Sequence, residues 1–338
     1  MLDIALVTDI AFWEIGNGQN ARIRELFMFL AKHCKLTLYY LGDDACPFLS
    51  PSFQSGDKKT QLADYLERAK HDRIIVVKLY LDWVIDFAPK VSEIYLDAHD
   101  ILSERDKTFR EFHRHCESIS FEQEMNRFSK FDKVILLQKD EAQKVLPWIG
   151  DNRVLLCPHP VIPKGQLSIR KKIKTIGFFG GPSQPNIDGI QWFHDAVLPL
   201  LGDLSQKCVV HGTINCSPFS MFSPQLSKGR LFPSVGSYYK QIDIAINPVL
   251  YGSGLKIKTV EALAYGIPLV TTSAGAQGLS EEKGRSYLLA DTPQEFASSL
   301  CKLASSFTLR SQLSVSAKDY AMRYFTPHAC FQSLIIPS

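Results

Sequence analysis

Short apolar runs separated by amphipathic stretches set the rhythm of this chain. Ile4 to Thr8 (IALVT) is continuously apolar and ends in Asp9, the pattern of a strand buried on both faces of a parallel sheet. A loop carrying Gly16 and Gly18 follows. Ile23, Leu26, Phe27 and Leu30 then recur at i, i+3, i+4 and i+7, which is one face of a helix. Leu36 to Leu41, Ile74 to Lys78, Glu93 to Leu96 and Val134 to Leu137 predict further strands. Between the last two, Ser103 to Lys130 is largely polar, with Phe109, Phe112, Cys116, Ile119 and Phe121 at helical spacing. Strands alternating with helices predict a doubly wound α/β sheet.

The alternation then starts again. Cys157-Pro158-His159-Pro160 and Pro163-Lys164-Gly165 are breakers, followed by the basic run Arg170-Lys171-Lys172, and a linker is expected here. Thr175 to Phe179 reads as a strand running into Gly180-Gly181. Cys208 to His211, Ile242 to Asn247 and Pro268 to Thr272 read as later strands, and Pro293 to Tyr324 as mainly helical. With 338 residues and about 150 per domain, two domains are expected. The expected division is 1–165 and 166–310, with 311–338 a helical segment packing back toward the first domain. In open α/β sheets ligands bind beyond the carboxyl ends of the strands, so residues that directly follow strands are the candidates.

Charge and cysteine content narrow the partners. The 38 basic and 35 acidic residues leave a net charge of +3, which argues against a dedicated nucleic-acid binder and suits a small anion held by a few lysines. The eight cysteines form no C-x-x-C pair and read as reduced thiols of a cytoplasmic protein. MLDIALVTDI reads as a first strand and not as a signal peptide. No apolar run approaches the ~18 residues of a membrane span, so membrane contact is expected to be peripheral at most.

The richest segment is Tyr251 to Thr272, YGSGLKIKTVEALAYGIPLVTT. Gly252 and Gly254 permit close backbone approach, and a helix is expected from about Ile257 or Lys258. Its amino end favours an anion, with Lys256 and Lys258 adding positive charge there. Glu261, one turn further on, suits a ribose diol. The bland alternative is a glycine turn followed by a Lys258–Glu261 surface ion pair. Gly16-x-Gly18-x-x-Ala21 mimics a dinucleotide fingerprint, but seven residues, Asp9 to Ile15, intervene where an immediate turn is required. His113 and His115, beside Cys116, do not face each other on a helix, which argues against a metal site.

GSGLKIKTVEALAYGIPLVTTSAGAQGL resembles the C-terminal signature of glycosyltransferase family 4, the group 1 glycosyltransferases of the GT-B fold. IGFFGGPSQPNIDGIQWF, VGSYYKQIDIAINPV, YLDAHDILSERD and FDKVILLQKDE resemble further segments of that family in order. The resemblance implies two Rossmann-like domains facing across a cleft, the first binding the acceptor and the second a nucleotide-sugar donor. It implies a retaining transfer to a saccharide or lipid-linked saccharide, as in surface polysaccharide synthesis. His99, Lys258 and Glu261 would be catalytic. Gly180, Gly181, Gly254, Leu255 and Lys256 would join Lys258 and Glu261 in holding the donor, and Gly16, Asn17 and Gly18 would lie beneath the acceptor. No cofactor or metal is expected, because no Asp-x-Asp motif stands near the donor segment. Two departures stand out: Tyr251-Gly252-Ser253 lacks the family's first glutamate, and Gly181-Pro182-Ser183-Gln184 lacks its arginine. The remaining alternatives are a non-catalytic GT-B binding module and a GT-B epimerase or phosphorylase.

Overall fold

A computed structural model describes residues 1–14, 18–51, 53, 57–115, 119–163, 168–216, 227–229, 232 and 234–336. The chain divides into two compact units, Met1–Pro160 with Pro327–Ser338, and Val161–Thr326. The expected boundary at 165/166 lies outside the described residues.

In the first unit, strands β1 (Asp3–Thr8), β2 (Lys35–Tyr40), β3 (Arg73–Val77), β4 (Glu93–Asp97), β5 (Lys133–Leu136) and β6 (Val154–Leu156) form one parallel sheet in the order β2-β1-β3-β4-β5-β6. Helices α1 (Gly18–His33), α2 (Lys58–Ala69), α3 (Leu102–Glu111), α4 (Phe121–Phe128) and α5 (Lys139–Ile149) connect them. Every residue of β3 is buried, as the unbroken apolar run predicts for a strand covered on both faces. The stretch expected as one helix between β4 and β5 is two. A capping box at Ser120 and Gln123 starts α4, and His113 takes a left-handed φ of 54° after α3. The end of the chain returns to this unit through α11 (Pro327–Phe331): buried Arg73 donates to the carbonyl of Leu334 at 2.5 Å and stacks on Tyr95.

In the second unit, β7 (Ile176–Phe179), β8 (Cys208–His211), β9 (Ser227–Lys228), β10 (Ile244–Asn247), β11 (Leu269–Thr271) and β12 (Leu288–Leu289) form a parallel sheet in the order β12-β11-β10-β7-β8-β9. Its helices are α6 (Gln184–Trp192), α7 (Val235–Tyr239), α8 (Ile257–Tyr265), α9 (Pro293–Ser305) and α10 (Phe307–Tyr324), the last packed on α8. The strand order reverses between β7 and β10, and in the first unit between β1 and β3. Such switch points open a crevice at the carboxyl ends of the strands.

Candidate functional site

The switch point of the second unit gathers most of the residues singled out in the sequence. Gly180 and Gly181 follow β7. The Gly180 amide donates to the carbonyl of His211 at 3.1 Å, and the Gly180 carbonyl accepts from Ile214 at 3.1 Å. A Cβ on Gly180 would stand 2.9 Å from the Phe178 ring and 3.0 Å from the Asn186 amide, so this turn has no room for a side chain. Asn186, in the first turn of α6, donates to the Gly181 carbonyl at 2.9 Å and offers its own carbonyl oxygen to the Lys258 ammonium. Lys258 also lies over the Phe178 ring, 5.0 Å from its centroid.

Helix α8 starts where the glycine loop ends, with Gly252 at φ 118° and Gly254 at φ 72°, both in the region that favours glycine. No side chain caps this helix. Its first-turn amides and its dipole therefore face the same end as Lys258, an arrangement that favours an anion. Burial pushes Lys258 down to about 7, with repulsion from Lys256 adding to the effect and Glu261 opposing it. Burial likewise pushes Glu261 up to about 7, against the pull of Lys258 and the Tyr239 hydroxyl. Tyr239 donates to the Lys258 carbonyl at 3.0 Å and lies 3.5 Å from the Glu261 carboxylate. Lys258 and Glu261 are both half-buried, which is incompatible with a solvated surface ion pair.

Lys256, expected to support Lys258 in holding the donor diphosphate, is the residue just before α8. Its ammonium turns back on the loop, donating to the carbonyls of Ser253 at 2.9 Å and Gly254 at 3.0 Å and to Gln277 at 2.7 Å. It braces the glycine turn. Leu255 is buried beside it. Where the family's first glutamate is missing, buried Tyr251 donates to Asp188 on α6 at 2.5 Å, and Gln184 donates to the other oxygen of Asp188 at 2.9 Å. Spacing could not reveal Asn186, Asp188, Tyr239 or Gln277, whose partners lie far away in sequence. The only earlier signal was the polar run after Gly180-Gly181.

In the first unit, His99 follows β4 with a left-handed φ of 68° and is buried. Burial, the Lys78 ammonium and Arg22 hold its pKa below the ordinary value, and Asp97 opposes them. Lys78, after β3, is also left-handed at φ 80°, and its amide donates to the Asp97 carbonyl at 3.0 Å. Gly16 and Asn17 lie outside the described residues. Gly18 begins α1, and Asn20 on that helix donates to the carbonyl of Ala11 at 3.0 Å and of Glu14 at 3.3 Å, tying down the preceding turn. Phe12 is buried against Trp13, Phe27 and Phe48, so it packs beneath the turn.

Residues 173–306 match the family model described as Glycosyl transferases group 1. The chain is 21% identical over 250 residues to an uncharacterized 44.6 kDa protein in the cps region of Klebsiella pneumoniae, covering 69% of this chain and 63% of that protein. Among solved structures it resembles HepE from Anabaena in complex with UDP (TM-score 0.72, 14% identity, 98% of each chain). It also resembles a glycosyltransferase from Rickettsia africae (TM-score 0.70, 11% identity, 98% of this chain and 96% of that one). A third is WaaG, a glycosyltransferase involved in lipopolysaccharide biosynthesis (TM-score 0.68, 13% identity, 99% of this chain and 100% of that one). The two parallel-sheet units thus have the GT-B fold.

Proposed function

We propose that this chain, whose second unit carries the group 1 glycosyltransferase domain within a GT-B fold, transfers a sugar from a nucleotide-sugar to a saccharide or lipid-linked saccharide acceptor. The observation that carries this reading is the half-buried Lys258 at the uncapped amino end of α8, one turn from Glu261 and beside the Gly180-Gly181 turn. A diphosphate supplies the charge that Lys258 lacks as a partner. A ribose diol supplies donors to Glu261. The Gly180-Gly181 turn lets the phosphates approach closely, and the amides near Gly254 and Leu255 face the phosphates and the sugar. Because HepE is described with UDP, a UDP-sugar is the first donor to try.

In the proposed reaction the bond from the anomeric carbon to the diphosphate oxygen breaks. An acceptor hydroxyl oxygen bonds the same carbon on the same face, and its proton passes to the departing phosphate oxygen. Retention follows from the family resemblance. Lys258 and the first-turn amides of α8 stabilise the charge that develops on the leaving diphosphate, a contribution worth about 3–4 kcal/mol per donor in comparable sites. Lys256 keeps the loop in shape for this contact. The first unit takes the acceptor, and His99 is its catalytic histidine. No divalent metal is required.

The test is release of nucleoside diphosphate from a panel of nucleotide-sugars, with and without saccharide acceptors. Release that depends on both an acceptor and Lys258 supports the reading. Donor binding with no acceptor-dependent release from any pair would point to a binding module instead.

A further inference from the structure

Resting on the reading of His99 as the histidine that serves the reaction, we propose that Asp97 is a positioning residue: its carboxylate holds His99 in the tautomer that carries the proton on Nε2, and Arg22 fixes that carboxylate. Asp97 ends β4 and is fully buried. One of its oxygens, Oδ1, accepts from Arg22 Nη2 at 3.0 Å and Nε at 3.4 Å. Arg22 is equally buried, and its third donor, Nη1, goes to the Pro158 carbonyl at 2.9 Å. The clamp therefore uses only half of the carboxylate. The other oxygen, Oδ2, has no hydrogen-bond partner within the described residues and stands 3.4 Å from His99 Nε2, which has none either.

Two buried polar atoms left to each other in this way dictate the proton's place. A carboxylate only accepts, so a lone pair on Nε2 would face negative charge, whereas an Nε2 proton turns the approach into a charge-assisted bond. At 3.4 Å the two atoms are close enough for a small ring rotation to close that bond. Burial alone would raise the Asp97 carboxyl, but the charge of Arg22 and the nearby His99 hold it below the ordinary range, so the acceptor stays ionised. The charged and titratable groups that bear on His99 are Asp97 from its own strand, Lys78 from the end of β3, Arg22 from α1, and His159. One anion beside the two cations Lys78 and Arg22, in a buried setting, leaves a neutral imidazole. Its Nδ1 then keeps a lone pair for a substrate donor. The left-handed backbone at both Lys78 and His99, joined through the Lys78 amide and the Asp97 carbonyl, fixes the ring's position at the turn. A purely structural Arg22–Asp97 pair would have no need to leave Oδ2 unbonded opposite an imidazole.

The experiment is long-range proton–nitrogen NMR on the full-length protein labelled with 15N-histidine, with the His99 signals assigned by their loss in His99→Asn. A pyrrole-type Nε2 and a pyridine-type Nδ1 are expected at neutral pH. A proton on Nδ1, or rapid exchange between both tautomers, overturns the proposal. In Asp97→Asn the tautomer should become mixed, and kcat should fall at least about 10-fold, the lower end of the loss seen when a carboxylate that orients a histidine is removed, with the donor KM unchanged. If that variant is unstable because Arg22 has lost its counter-charge, Arg22→Met combined with Asp97→Asn removes the unpaired charge and is read in the same way. An unchanged tautomer or an unchanged kcat in a folded variant overturns the positioning role. If the wild type transfers no sugar to any acceptor, the glycosyltransferase reading fails, while the wild-type spectrum still decides the Asp97–His99 relation.

Discussion

Lys258 occupies its place at a cost to the fold. Its folded pKa of about 7 lies well below the ordinary 10.5, so between those values the unfolded chain binds the extra proton and stability rises with pH. The penalty is complete at or below pH 7 and disappears toward pH 10.5. Lys258→Met should therefore raise Tm by a few degrees near pH 6–7, with the gain shrinking at pH 9–10, while donor binding is lost. Thermal melts across that range check it; a Tm that falls at pH 6 would mean that Lys258 is structurally paired. The same shift predicts how the donor binds. Above pH 7 the free protein must take up a proton to meet the diphosphate, so nucleotide-sugar affinity should drop by up to about tenfold per pH unit. Lys258→Arg, which stays charged, should flatten that dependence. Calorimetric titration at pH 6.5, 7.5 and 8.5 decides it, and equal slopes in both proteins would exclude Lys258. At this scale the sequence singled out His99, just past the edge of an apolar run, and Lys258 and Glu261, where a glycine turn meets the start of an amphipathic run. It could not reveal their partners. Asn186 meets Lys258 from α6, and Arg22 on α1 is fully buried against Asp97.

At the scale of elements, α8 and the turn before it carry the candidate site. The expected start near Ile257 or Lys258 agrees with the observed Ile257–Tyr265, since the Gly252–Gly254 turn and the apolar periodicity both mark it. Gly254 at φ 72° cannot take a side chain without strain. Gly254→Ala should cost about 1–2 kcal/mol of stability and misplace the first-turn amides. Its predicted signature is a donor KM raised at least several-fold with a modest fall in Tm. An unchanged KM would show that the turn does not shape the donor site. The strands missed in the sequence are short: β6 is Val154–Leu156, β9 is Ser227–Lys228 and β12 is only Leu288–Leu289. Strands of this kind exist because a neighbouring strand offers them a ladder, and local pattern does not show that. Conversely, the helix expected across Ser103 to Lys130 was broken by a capping signal at Ser120 that the aromatic spacing hid.

For the whole molecule, the repeated strand–helix alternation made two α/β units legible, because each needs its own buried sheet. The contact that holds the chain's end in the first unit was not legible, since Arg73 reaches the Leu334 carbonyl 261 residues away. Full transfer activity in excess EDTA is expected, with lysine and helix amides supplying the charge that a metal would otherwise provide; a strict magnesium or manganese requirement would refute that. A nucleotide-sugar site at the second unit's switch point would stand on Lys258 and Glu261. The most direct measurement is calorimetric titration of UDP and the other nucleoside diphosphates into the wild type, Lys258→Met and Glu261→Ala, each shown to be folded by its thermal melt. Saturable 1:1 binding of at least one diphosphate to the wild type is expected, with affinity lowered at least tenfold in each variant. Equal affinity in all three proteins, or no binding of any diphosphate to the wild type, would contradict it.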